Sequence, residues 1–353
     1  MGRASSVLRS VVVGLRMGRR HAQVMDGLPE YQVVGVCDLD ATRAAEVASE
    51  LSDAKAYTDY ETMLAAEKPV VVTVATPNDS HARFTIMAVE VGARGVCCEK
   101  PVAVSLGEGR AMVAACAEHG TSLIVAHQRR MGPDLMAMRR LIDQGAVGEV
   151  YLLRGSCQGD LLTDGTHLVD SLRWLAGDEE ISWVLGQAYR QPPDPNEGKG
   201  VGFHRSGGYR YGHMIETGAM ATFEFKSGLR AEILTGEARF PGREYQDDEV
   251  FGTKGRLWRL GDRVDPPLRI WDEQAGGWRE LTDYPGCPTS DARTNMYMAF
   301  ARMIHEKTSH PLFGESGLAD LEVLIATFES ARTHSMIRLP LQQEAFPLPM
   351  MID

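Results

Sequence analysis

The stretch Val96-Cys97-Cys98-Glu99-Lys100-Pro101 decides how the chain is to be read. A short apolar run ends in an acid, a lysine and a proline, the pattern of a buried strand stopping at a turn. Apolar runs at 10–14, 31–37, 54–57 and 70–75 precede it, most of them separated by helical patterns. That order predicts a parallel sheet in which this run is the fifth strand and Lys100 stands at its carboxyl end. Open α/β sheets bind ligands outside the carboxyl ends of their strands. The plain alternative is a solvated lysine after an edge strand, and the surrounding chain decides between the two.

Upstream, the run at 10–14 leads into Gly14-Leu15-Arg16-Met17-Gly18, a helical pattern to about residue 28, and a second strand closed by Asp38. Strand, glycine turn, helix, strand and acid in that order form a dinucleotide-binding fingerprint. The glycines permit a tight turn and let a pyrophosphate approach the helix N-terminus. The acid accepts hydrogen bonds from the adenosine ribose. The turn is one residue shorter than G-x-G-x-x-G, and Arg16 stands where a middle glycine is usual. Asp38 favours NAD, because a carboxylate repels a 2′-phosphate. Arg16, Arg19 and Arg43 leave NADP open. The run at 70–75 is β-branched and continuous, as in a strand buried on both faces. It ends in Thr76-Pro77-Asn78, with His81 one turn into the next helix. Ser105 with Glu108 reads as a capping box. A sixth strand at 122–126 closes the first domain.

The length of 353 residues implies about two domains. A net charge of −11, from 37 basic and 48 acidic residues, argues against a nucleic-acid groove. The six cysteines show no metal or redox spacing and read as reduced, mostly buried thiols. No run reaches membrane-spanning length. No His, Cys or Asp cluster has metal spacing, so no metal is expected. Together these predict a cytoplasmic protein with a small-molecule substrate and neither a nucleic-acid nor a membrane partner.

After residue 126 come a helical pattern at 133–144, a strand at 149–157, and a segment from Gly159 to Asp170 that runs into a helix through Trp174 and Leu175. Short β-rich runs follow, as in a meander. Residues 191–208 read as a loop. Tyr209, Tyr211 and His213 either line a pocket or belong to a plain loop, and the loop is the preferred reading. Two helices are expected at 294–307 and 316–334. The fold class is therefore α/β: a Rossmann domain with a parallel sheet over 1–126, then an α/β domain on a large, mostly antiparallel sheet over 127–353. The open face of that sheet should make a homodimer or homotetramer.

These residues resemble the glucose-fructose oxidoreductase, inositol dehydrogenase and rhizopine catabolism (Gfo/Idh/MocA) family. The motifs that carry the likeness are Gly14 to Gly18 with His21, Asp38, Tyr57-Thr58-Asp59-Tyr60, Ala75-Thr76-Pro77-Asn78 with His81, Glu99-Lys100-Pro101, and Gln128-Arg129-Arg130 with Pro133. Nearly the whole chain takes part. The resemblance implies a Lys100–Pro101 peptide that is cis. It implies a cofactor held by Gly14, Arg16, Met17, Gly18, Asp38, Arg43, Thr76, Pro77, Asn78, His81, Glu99, Lys100 and Gln128. It also implies that the last helix packs back on the first domain. Gly165, His167 and Asp170 match the family segment D-x-G-x-H-x-x-D, whose histidine sits beside the catalytic lysine. Thr163 holds the position of the family aspartate, and Asp164 is shifted by one. Arg129, Thr163, Asp164 and His167, with Lys100, would then meet the substrate, and Lys100, His167 and Asp164 would carry the chemistry.

A lysine ammonium suits the developing carbonyl oxygen of an oxidised alcohol. A histidine near its ordinary pKa suits the departing proton. Asp164 otherwise reads as an acid favouring the helix dipole. The expected activity is hydride transfer between a sugar, cyclitol or related polyol and NAD, with NADP possible. The alternatives are a redox-neutral enzyme that cleaves a glycosidic bond by transient oxidation, and a non-catalytic NAD(P)-binding sensor.

Overall fold

Short runs, apolar and mostly buried except for the edge strand β3, become the strands of the first sheet: β1 (Leu8–Val13), β2 (Tyr31–Cys37), β3 (Lys55–Tyr57), β4 (Val71–Val74), β5 (Gly95–Cys98) and β6 (Ser122–Val125). Between them run α1 (Leu15–Asp26), α2 (Ala41–Ser49), α3 (Tyr60–Glu67), α4 (His81–Glu90) and α5 (Leu106–His119). The computed structural model describes residues 7–190, 208–238, 245–273, 275–284 and 289–351. The six strands are parallel in the order β3-β2-β1-β4-β5-β6. The winding reverses between β1 and β4, the topological switch point where such sheets open a crevice. Local chemistry sets the helix starts. The Asp40 carboxylate accepts the Thr42 and Arg43 N–H groups, Asp59 accepts that of Thr62, and Ser105 and Glu108 form the expected capping box. Cys37, Cys97, Cys98, Cys116 and Cys157 are free, buried thiols; Cys287 lies outside the described residues.

The remaining elements are α6 (Pro133–Asp143), β7 (Val150–Cys157), α7 (Gly165–Leu175), β8 (Ile181–Tyr189), β9 (Tyr209–Arg210), β10 (His213–Met214), β11 (Gly218–Phe225), β12 (Arg230–Gly236), β13 (Gln246–Gly252), β14 (Gly255–Arg259), β15 (Leu268–Asp272), β16 (Gly277–Glu280), α8 (Thr289–Glu306), α9 (Gly314–Thr333) and β17 (Ile337–Arg338). Nine of these strands form one mixed sheet in the order β16-β15-β14-β13-β7-β12-β11-β8-β17. Only the β7–β12 pair is parallel. The expected loop at 191–208 falls almost wholly outside the described residues. Tyr209 and His213 sit not in a plain loop but on the small antiparallel ribbon of β9 and β10. β15 and β16 escaped the sequence pattern, because their short runs mix apolar and charged residues and are only partly buried.

The chain divides into Met1–Gln128 with Ser290–Leu318, and Arg129–Thr289 with Ala319–Asp353. Helix α8 lies in the first unit, and so does the start of α9, where a Cβ on Gly314 would lie 2.6 Å from Leu123 Cδ2 and one on Gly317 2.5 Å from Val125 Cγ2. Gly95 of β5 leaves a hollow in which a Cβ would stand 2.5 Å from Ile304 Cδ1 and 2.8 Å from Phe300 Cζ, both on α8. From residue 319 onward α9 belongs to the second unit. A Cβ on Gly186 would lie 2.6 Å from Thr327 Cγ2, and the Gly186 N–H donates to Ser330 Oγ at 2.9 Å. These glycine hollows seat α8 against β5 and the later turns of α9 against β8.

α7 covers the same inner face of the large sheet, so closely that a Cβ on Gly155 would lie 2.2 Å from Leu168 Cδ1. The opposite face stays open, with Leu185 50% and Met220 42% exposed and an Arg154–Glu232 ion pair beside them. No helix among the described residues is long and apolar enough to cross a membrane.

Candidate active site

In the first unit the expected cofactor residues gather at the carboxyl ends of the strands. Gly14 ends β1 with φ 83°, and its N–H donates to Cys37 O at 2.8 Å. A Cβ there would lie 2.4 Å from Ala75 O, so β1 and β4 approach at this point as only glycine allows. Helix α1 begins at once, which accounts for the short turn. Arg16 and Met17 are exposed on its first turn, whereas Gly18 is buried against Val12. Asp38 is stapled in place. Its Oδ2 accepts the Leu15 N–H at 2.8 Å, and its Oδ1 accepts the Asp40 N–H at 3.0 Å and Arg43 Nη1 at 2.9 Å. An ionised carboxylate offers about four acceptor positions, so one remains for a ribose hydroxyl. Arg43 is committed to Asp38 and, at 3.0 Å, to Asp40. Leu39 beside them is 95% exposed, an apolar surface that the sequence reading passed over.

After β4, Thr76 is half-buried and its Oγ1 accepts from Ser80 Oγ at 2.8 Å, Pro77 is exposed, and Asn78 is buried. His81 is fully buried, its ring set between the Pro101 carbonyl at 2.8 Å and the Thr76 carbonyl at 3.0 Å. Its place is behind the loops that follow β4 and β5. Burial keeps it below its ordinary pKa. Gln128 is buried after β6, and its Oε1 accepts no hydrogen bond among the described residues. A dinucleotide fits these features: a cradle that a Cβ would fill, a carboxylate with acceptor capacity left, and a buried amide oxygen wanting a donor.

Lys100 is half-buried at the end of β5, and the Lys100–Pro101 peptide is cis. Its main-chain N–H donates to Glu99 Oε2 at 3.1 Å. The other Glu99 oxygen meets His21 Nε2 at 2.7 Å, and His21 Nδ1 meets the Tyr297 hydroxyl of α8 at 2.7 Å. Burial alone would push Glu99 up. The His21 hydrogen bond and the charges around it, Lys100 among them, outweigh that and hold it down to about 2. Burial keeps His21 below its ordinary value. The ring is therefore neutral, donating from Nε2 to Glu99 and accepting the Tyr297 proton at Nδ1. Thr73 Oγ1 and Tyr31 fasten Tyr297 in turn, at 2.9 Å and 2.6 Å. A buried chain of polar side chains thus locks the backbone that carries Lys100.

In the second unit His167 is buried on α7, one turn past Asp164. Asp164 occupies the N-cap position of α7 and makes no cap hydrogen bond. Its carboxylate instead takes Arg210 Nη1 and the Tyr245 hydroxyl. Gly159, with φ 86°, makes room for it, since a Cβ there would meet Asp164 Oδ2 at 2.0 Å. Thr163 donates its N–H to Asp160 Oδ1 at 2.7 Å and faces His213 Nε2 through Oγ1 at 3.1 Å. His213 Nδ1 lies 2.9 Å from the Met214 carbonyl. Arg129 is held by Asp262 at 2.6 Å and covers the Tyr245 ring at 5.3 Å. Arg130 is buried between Asp170 at 2.6 Å and Asp178 at 2.7 Å.

Asp160, Arg210, Glu216, Tyr245 and Asp262 were absent from the sequence reading. Arg210 and Tyr245 stand 46 and 81 residues from Asp164, and no local spacing links them.

A doubly wound dinucleotide unit followed by an α/β unit on a large mixed sheet defines the class. The family model for "Oxidoreductase family, NAD-binding Rossmann fold" matches residues 8–127, and that for the "GFO/IDH/MocA C-terminal domain" matches residues 135–258. The chain belongs to this family of NAD-binding sugar and polyol oxidoreductases. It is 26% identical over 253 residues to D-glucoside 3-dehydrogenase of Escherichia coli (strain K12), covering 64% of this chain and 68% of that one. It is 24% identical over 328 residues to the NADP(+)-designated D-xylose 1-dehydrogenase of Haloarcula marismortui, covering 85% and 84%. The solved structure of levoglucosan dehydrogenase with NADH and levoglucosan shares the fold, with TM-score 0.79 at 21% identity over 95% of this chain and 100% of that one.

Proposed function

We propose that the protein oxidises a secondary hydroxyl of a sugar, cyclitol or related polyol with NAD as hydride acceptor. The observation that carries this reading is Lys100, fixed at the carboxyl end of β5 by an ionised Glu99 and its buried His21–Tyr297 support. Gly14, Gly18, Asp38, Thr76, Pro77, Asn78 and Gln128 hold the dinucleotide, with Leu39 as an apolar rest for its adenine. His81 and Glu99 act from behind, through the loops they brace. When bound, NAD supplies the carbon that takes the hydride. The Lys100 ammonium orients the hydroxyl and stabilises the oxygen as it becomes a carbonyl. His167 takes the hydroxyl proton. Asp164, tied to Arg210 and Tyr245, holds the start of α7 that presents His167. A panel of sugars, cyclitols and glycosides with NAD and NADP, followed by nicotinamide absorbance and product analysis, tests the reading. Cleaved glycoside without reduced cofactor would replace it with the redox-neutral one.

NADH should bind about tenfold more tightly than NADPH, because a 2′-phosphate would face Asp38 and would have to take Arg43 from two carboxylates. Fluorescence titration with both cofactors measures this, and tighter NADPH binding would assign the adenosine end to the arginines. The open face of the nine-stranded sheet supports a second copy of this chain as its cover, in a homodimer or homotetramer. Light scattering at micromolar concentration should give at least the dimer mass; a monomer would refute it.

A further inference from the structure

Charged side chains from separate elements meet at the turn before α7. Arg210 reaches from β9, and its Nη1 is shared by Asp160, at 2.9 Å, and Asp164. Glu216 comes from the segment after β10, and its Oε1 accepts the Leu161 N–H at 2.6 Å. Its Oε2 has no hydrogen-bond partner, although Glu216 is only 2% exposed. Folds match buried carboxyl oxygens, and one left unmatched against two more carboxylates calls for a functional reason. Burial first, and Asp160 next, push Glu216 up to about 8. It therefore holds a proton at neutrality.

The corner thus sets the carboxyl groups of Asp160 and Asp164 against the single guanidinium of Arg210. Among the described residues of this unit, the neighbouring groups do not cancel the surplus. Burial pushes Cys157 and Tyr245 up, so both stay neutral. Arg129 above the Tyr245 ring is matched by Asp262. Nor does the start of α7 offer an anion site. The N–H groups of Asp164 and Gly165 donate to Asp160 O, and that of His167 donates to Asp164 O.

We propose that this corner is an electrostatic filter on the substrate, which admits a neutral polyol or glycoside, favours an amino sugar, and turns away uronates and sugar phosphates. The inference rests on the reading of Asp164 and His167 as the substrate end of the site.

Three ligands on one ring scaffold but of different charge test it: methyl glucoside, methyl glucosaminide, cationic at C2, and methyl glucuronide, anionic at C6. Their binding to the NADH-loaded protein is measured by calorimetry, and their oxidation with NAD by absorbance. The glucuronide should bind at least about tenfold more weakly than the other two, and the glucosaminide most tightly. Glu216→Gln should keep this ranking, because Asp160 then carries the pair's single charge. Asp160→Asn with Glu216→Gln should bring the three affinities within about twofold, since both amides retain the acceptors for Thr163 N and Leu161 N. Should the double variant fail to fold, the ranking in the natural protein still decides. A glucuronide that binds as well as the others, or no binding by any of the three, overturns the filter. The expected binding order without oxidation would uphold the filter and overturn the dehydrogenase reading.

Discussion

Lys100→Met is expected to lower turnover by roughly 100-fold or more while leaving NADH affinity within about twofold. The ammonium acts where negative charge develops on the substrate oxygen, so its loss falls on the transition state more than on the ground state. Methionine keeps the unbranched stem. It also keeps the main-chain N–H that Glu99 accepts, so the His21–Glu99 support survives. Single-turnover kinetics with a substrate found in the panel, set beside NADH titration, separate chemistry from binding. Near-normal turnover would reduce the Glu99-Lys100-Pro101 turn to a structural stop and remove the mechanism proposed for it.

Gly14→Ala should damage both stability and cofactor binding. The added Cβ would lie 2.4 Å from Ala75 O, 2.6 Å from Ala75 C and 2.7 Å from Thr76 N, all main-chain atoms that cannot turn aside. A φ of 83° adds the strain of a conformation that L side chains rarely adopt. Together these cost on the order of 2–4 kcal/mol. Relief requires β1 and β4 to part at the switch point, where the dinucleotide passes, so NADH affinity should fall more than about tenfold. Gly92→Ala is the control. Gly92 has a φ of 89° but nothing within 4 Å of a Cβ, so it should cost about 1 kcal/mol and leave NADH binding unchanged. Thermal melts with and without NADH, plus titration, compare the two. Equal losses of affinity would mean that the close approach at Ala75 plays no part in binding.

Much of the first unit was legible because its signals are local. A strand buried on both faces must be largely apolar, so β1, β2, β4 and β5 stand out as runs rich in valine and cysteine. Asp40, Asp59 and Ser105 cap helices with their own side chains, within three residues of the N–H groups they serve. Asp38 and Lys100 were found by their place at strand ends. The second unit was less legible. Its outer strands β15 and β16 bury little, and without burial no periodicity is imposed on the side chains.

By itself the sequence determined the doubly wound sheet, the glycine turn, the acid after β2, the lysine after β5 and the helix that carries His167. Each follows from hydrophobic period, capping or chain order within a few dozen residues. Only the tertiary structure decided where α8 and α9 pack, because the choice depends on which side chains fit the hollows at Gly95 and Gly186. Only it turned Asp164 from a helix cap into a partner of Arg210 and Tyr245, and matched Arg129 with Asp262 across 133 residues. Charges pair by distance in space, and the chain's order carries no record of which distant segments folding will bring within 3 Å.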